Sequence, residues 1–315
     1  MRPALSIVFF TTSSGAGFSL LALLGVSVPL GLLPTSASFA VAALAVAFLL
    51  AAGGLMSSTL HLGRPERAWR AFSQWRSSWL SREGVFSLLT FVPAAAFGIG
   101  WVFFGKTDGV IGLCAIVAAA LSITTIYSTG MIYASLKPVR QWHNQWVVPN
   151  YLVLGLMSGC LILDFLTRLW AERSSGVALL SLIVVLVSWW MKEQYWSRID
   201  TTSGASTVAS ATTLGNRGRV RIFEAPHTED NYLLKEMGYR VARRHRTRLR
   251  HVTRLVGFAF PGLATFLTLV VGGVTGAILA GLGVASGALG LLVERWLFFA
   301  EAKHTVTLYY GADAI

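Results

Sequence analysis

The chain has 315 residues, 54% of them hydrophobic and 13% charged, with a mean hydropathy of +0.62. A soluble domain carries about 25% charged residues, so long apolar runs with so little charge exclude an ordinary soluble fold and point to the membrane. Lys and Arg outnumber Asp and Glu 26 to 14. This basic excess lies between apolar spans and accompanies no nucleic-acid-binding module, so nucleic acid is not expected as a partner.

Apolar spans of about 20 residues are the unit to look for. They fall at 4–24, 37–60, 84–104, 110–135, 147–168 and 176–191. The first is read as a retained membrane helix, because its apolar stretch exceeds a signal-peptide core and no A-x-A site follows. A basic loop, 192–254, comes next. The apolar stretch 255–300 is too long for one crossing and fits two, with the break near Gly272, Gly273 and Gly276. The expectation is an all-α integral membrane protein, a single domain over 1–315 built as a bundle of about eight transmembrane helices.

Cytoplasmic loops collect Lys and Arg. Arg2, then Arg64, Arg67, Arg70, Arg76 and Arg82, then Lys137 and Arg140, and the whole 192–254 loop fall on one side; Lys106, Arg168 and Arg173 fall on the other. The first side is therefore read as cytoplasmic, with both termini. In the large loop, 200–216 is small and polar. Asn231 to Arg254 reads as a helix with a basic end, suited to lipid head groups or to a cytoplasmic partner.

Small residues let membrane helices approach closely. Ala43, Ala47 and Ala51 in the second span supply such a row, as do Ala277, Gly281 and Ala285, and Gly283 and Gly287, in the last. No internal repeat is visible, which weighs against a secondary transporter. Cys114 and Cys160, isolated within apolar runs, read as packing residues and are too few to hold an iron–sulfur cluster.

Chemistry concentrates in the second connection, "SSTLHLGRPERAWRAFSQWRSSWLSREGVF". His61 closes one helix and Glu83 opens the next, with five arginines and Trp69, Trp75 and Trp79 between them. Ionisable groups near membrane depth are expensive and suggest function. A quinone ring lies in the apolar phase and needs a protein group to exchange protons with water. Histidine suits that task, as does a carboxylate partly removed from water. Arg64 or Arg67 would hydrogen-bond a ring carbonyl or hold Glu83 ionised. The plainer alternative makes His61 a helix cap and Glu83 a first-turn acidic residue. Glu294, Glu301 and His304 share a helical face at the end of the last span, suited to the same pocket, to a partner or to simple solvation. Haem b is the competing cofactor, but none of the six histidines lies mid-span, so it is not favoured. Asp164 and Arg168, four apart, read as a local ion pair near the outer interface.

"HLGRPERAW" followed by "SSWLSREG", with "GMIYASL", "PHTEDNYLLKEMGYRVARRH" and "ERWLFFAEAKHTVTLYYG", resembles the dimethyl sulfoxide reductase anchor subunit (DmsC-like) family over essentially the whole chain. The resemblance implies a membrane anchor for two soluble partners, a molybdopterin catalytic subunit and an iron–sulfur subunit. It also implies exchange of electrons with membrane quinone, ubiquinone or menaquinone. In that family the His of the first motif and the Glu of the second are implicated at the quinone site; they match His61 and Glu83, with Arg64 and Arg67 as neighbours. The side assigned to the His61–Glu83 loop looks more like the related sulfite-oxidising enzymes, whose catalytic part faces the cytoplasm. Electrons would then run into quinone, whereas a dimethyl sulfoxide reductase would oxidise quinol.

Overall fold

The computed structural model describes residues 3–170, 175–201, 206–221, 223–224, 241–310 and 312; for His61 and residues 241–244 it describes the backbone alone. Eight helices are long and apolar enough to cross a membrane. They are α1 (Leu5–Ser27), α2 (Ala37–Ser57), α3 (Trp79–Phe104), α4 (Gly109–Ala134), α5 (Val147–Leu169) and α6 (Ser175–Thr201). The seventh, α7, is continuous through Val241–Val252, Thr253–Ala259 and Phe260–Val270, and α8 is Gly273–Ala300. Among the described residues there is no β-strand.

Exposure is inverted relative to a soluble bundle. Leu49, Val92, Phe103, Val110, Val270 and Leu282 stand exposed on the outer surface, where lipid supplies their apolar environment. Helix α1 is buried along most of its length and α5 nearly as much, so these two form the axis around which the others pack. Without a hydrophobic drive between helices in lipid, close backbone approach does the packing. A Cβ on Gly17 of α1 would collide with the Ala51 backbone nitrogen of α2, and one on Gly290 of α8 would collide with the Gly257 Cα of α7. The row Ala43, Ala47 and Ala51 is buried as its spacing suggests. In α8 the packed row is Gly283, Gly287 and Gly290, whereas Ala277 and Gly281 are only partly covered and Ala285 is exposed.

Local chemistry sets the helix ends. The Ser78 side chain accepts from the Ser81 N–H and starts α3 at Trp79, five residues before the hydropathy boundary. Gly105 closes α3 at φ +61°, and Gly273, also at +61°, stands at the break between α7 and α8 that the glycine cluster marks. Pro261 has no N–H to give its own helix, and π-helical turns over Thr253–Ala259 lie directly ahead of it. The Ser286 hydroxyl of α8 donates to the Val256 carbonyl in that segment at 2.6 Å.

The connection between α6 and α7 is shorter than hydropathy suggests. Helix α6 continues past residue 191 to Thr201, and α7 is already helical at Val241. The part of the expected Asn231–Arg254 helix that precedes Val241 lies outside the described residues. The charges at 192, 193, 200, 250 and 254 stay helical because they pair across the bundle.

Candidate functional site

Glu83 lies on the fifth residue of α3, a full turn inside the helix rather than in its first turn, and is 3% exposed. That extra turn points its carboxyl at α4, where the Thr129 hydroxyl donates to it. Among the described residues Thr129 is its only side-chain hydrogen-bond donor and no cation pairs with it. Tyr133, one turn beyond Thr129, is buried within electrostatic reach of Glu83 and stacks on Tyr151 of α5 with ring centroids 5.5 Å apart. A burial of this kind is costly for a charged carboxylate and cheap for a neutral one. The group is therefore suited to taking up and giving back a proton.

The segment before α3 covers this end of the bundle. A 3-10 turn, Ser58–His61, follows α2, and a longer one, Pro65–Gln74, follows that. Phe72 from the second packs on Gly84, where a Cβ would come within 2.7 Å of its ring, so glycine beside Glu83 lets the lid sit down. Arg82 fastens the return into α3. It donates to the carbonyls of Trp75 at 2.9 Å and Arg76 at 2.7 Å and stacks 4.2 Å over the Trp79 ring. His61 ends the first turn, and its side chain lies outside the described part of the structure. Arg64 and Arg67 are exposed, Arg67 near Glu66 at 3.9 Å, and neither forms a described ion pair with Glu83.

A second polar cluster lies at the same end, among α5, α6 and α8. Glu294 is fully buried and receives Lys192 of α6, itself 1% exposed. Arg295 approaches its other oxygen at 3.3 Å and lays its guanidinium 3.8 Å over the Tyr151 ring. Nearer the surface, Arg250 of α7 forks between Asp200 of α6, at 2.5 and 3.2 Å, and Glu301, at 3.0 and 3.2 Å. Arg254 holds Glu193 through two bonds of 2.6 and 2.8 Å, and Trp196 lies between the two arginines, 5.3 and 5.0 Å from its ring.

These contacts correct the reading of the chain's end. Glu294 and Glu301 are buried partners of Lys192 and Arg250 and not part of a solvated helix tip. Helix α8 stops at Ala300, so His304 leaves the helical face on which spacing put it. Its backbone is extended and bridges Val139, and its Nδ1 accepts from the Val306 N–H at 3.0 Å. Partial burial holds its imidazole below the usual histidine pKa. Sequence reasoning missed Thr129, Tyr133, Tyr151, Lys192 and Arg295. The signal for the last two was a charged pair, Glu294–Arg295, inside an apolar run, which demands a partner.

The opposite end is plainer. Arg168 meets Asp164 at 3.0 Å, both nearly fully buried, as their four-residue spacing suggests. Around them Phe39, Phe97 and Trp101 seal the bundle. Between the ends, a groove of about 480 Å³ opens among α1, α2, α5 and α8. It is almost wholly apolar, with exposed Phe9 and Leu49 at its rim.

Eight spanning helices with their ionisable groups gathered mainly at one end define a multi-pass membrane protein, and the family narrows that class. The model of the DMSO reductase anchor subunit (DmsC) family matches residues 1–300. The protein belongs to that family and is a membrane anchor subunit. It is 31% identical to the C component of the sulfite dehydrogenase of Allochromatium vinosum, over the full length of both proteins. It is 28% identical to the C component of the anaerobic dimethyl sulfoxide reductase of Escherichia coli, over 42% of this protein and 48% of that one. No solved structure matches it.

Proposed function

We propose that this protein is the quinone-reactive anchor of a bacterial inner-membrane complex with two soluble partners, an iron–sulfur electron-transfer subunit and a molybdopterin catalytic subunit. The partners dock on the basic face, which is cytoplasmic by its arginine-rich connections. The exposed 65–74 lid, with Trp69 and Arg70, and Trp75 directly after it form part of that docking surface. The single observation that carries the quinone reading is Glu83: a buried carboxyl at the membrane boundary, with one hydroxyl and no countercharge beside it among the described residues. Two electrons arrive from the iron–sulfur partner and two protons from water for each quinone reduced. Glu83 passes protons to the quinone oxygens, and His61 links it to the aqueous side. Ubiquinone and menaquinone both fit this chemistry. Full-length similarity to a sulfite dehydrogenase component favours sulfite as the electron source and quinone as the acceptor.

The test is Glu83→Gln in the assembled complex, purified from membranes and assayed with a short-tail quinone. The amide keeps the size and the Thr129 contact but carries no proton, so quinone turnover is expected to fall about 100-fold with the subunits still bound. Wild-type turnover in this variant sinks the assignment.

A further inference from the structure

The Glu83 carboxyl is buried, and a quinone must reach it from the bilayer. The apolar groove among α1, α2, α5 and α8 has the volume of a small-molecule site, about 480 Å³. Two of its lining residues, Thr12 and Ser158, also line a separate, small cavity of about 10 Å³ that Arg295 borders. The groove is therefore apolar along its length, and Thr12 and Ser158 stand between it and Arg295.

Among the described residues, Lys192 and Arg295 both face one carboxylate, Glu294, so two cationic side chains share a single ion-pairing carboxylate in the interior of a membrane bundle. A guanidinium placed there is a strong donor for an acceptor atom that reaches it. The Tyr151 ring lies beneath Arg295, 3.8 Å from its guanidinium, and stacks on Tyr133. Thr12 and Ser158 give their hydroxyl protons to the carbonyls of Val8 and Leu154, at 2.9 and 3.1 Å, and keep lone pairs free to accept.

We infer that this groove is the entry and head-group site of an isoprenoid quinone, with its tail along the apolar slot and a ring oxygen toward Arg295. The inference rests on the quinone reading above and names the site for it. An arginine donates to a quinone carbonyl and stabilises the negative charge that grows there on reduction. Hydroxyl oxygens with free lone pairs accept from the quinol formed. Tyr133 lies within electrostatic reach of both Arg295 and Glu83, so the ring and the proton-carrying carboxyl are joined through the stacked tyrosines. A phospholipid does not fit. Thr12 is seven residues into α1, about 10 Å below the helix end, too deep for a head group that belongs at the interface.

Ala288 lines the groove from α8 and is exposed, so Ala288→Trp fills the slot without entering the core. In the purified complex, KM for a short-tail quinone is expected to rise at least about tenfold with kcat little changed. A photoactivatable azidoquinone is expected to label the wild-type complex on peptides containing Thr12 or Ala288, and excess quinone should remove the label. That labelling decides the matter if the tryptophan variant fails to assemble. An unchanged KM, or labelling confined to other helices, overturns the inference. With Glu83→Gln slow and Ala288→Trp unaffected, only the groove assignment falls; if both behave as wild type, the quinone reading falls with it.

Discussion

Two carboxyls lie at the same end of this bundle, and they are held in opposite ways. Glu294, among α5, α6 and α8, has two cations within reach. Glu83, between α3 and α4, has one hydroxyl. A buried charge with its counterions is locked in one protonation state and becomes a structural joint. A buried carboxyl without them has, among the described residues, only the Thr129 hydroxyl to offset the water its charged form loses. The same residue type therefore serves as a tie in one place and, in the function proposed above, as a proton carrier in the other. The surroundings, and not the side chain, decide which.

The sharpest way to break the contrast is to remove the tie. Glu294→Leu leaves Lys192 and Arg295 buried without an anion and is expected to cost about 3–5 kcal/mol. The loss should appear as a collapse of thermal stability in detergent. Adding Lys192→Met is expected to recover much of it, as a double-mutant cycle would register. Glu83→Gln should leave that stability nearly untouched, because it removes no countercharge. A smaller effect is expected at Thr129→Val, which takes away the one hydroxyl and costs about 1–3 kcal/mol. A value near zero would mean that Glu83 draws its support from elsewhere.

The least effect concerns the tail that follows the tie. His304 is neutral in the fold, accepts from Val306, and has its pKa lowered below 6.5 by burial. The unfolded tail therefore binds a proton first as pH falls. The docked form is fully favoured above about 6.5 and loses ground below it. Hydrogen exchange across 304–308 should speed up as the pH drops through that range, and His304→Asn should remove the dependence.

Much of this was legible in the chain. Spans of apolar residues gave eight crossings, and the glycine cluster marked the break that Gly273 makes. The Asp164–Arg168 pair was readable because its partners are one turn apart. Glu83 was readable as a candidate, although Ser78 starts α3 early and so places it deeper than hydropathy implied. The partners of Glu294 were not readable. Lys192 is 102 residues away, and hydropathy ended the sixth span just before it. Local patterns carry helix identity and neighbours within a turn; the choice of which helices meet depends on packing across the bundle, as Gly257 and Gly290 show.

That separation between Lys192 and Glu294 has a consequence for how the protein is made. Chains emerge from the ribosome at about 5–20 residues per second. Lys192 thus reaches the membrane roughly 5–20 s before its counterion has been synthesised. During that interval α6 carries a bare ammonium at its basic end, where snorkelling toward water is the available refuge. The arginines of α7 follow acidic residues already in place on α6, so the seventh helix arrives to waiting partners. Insertion of α8 is then the event that draws Lys192 inward, and a helix made later fastens the sixth.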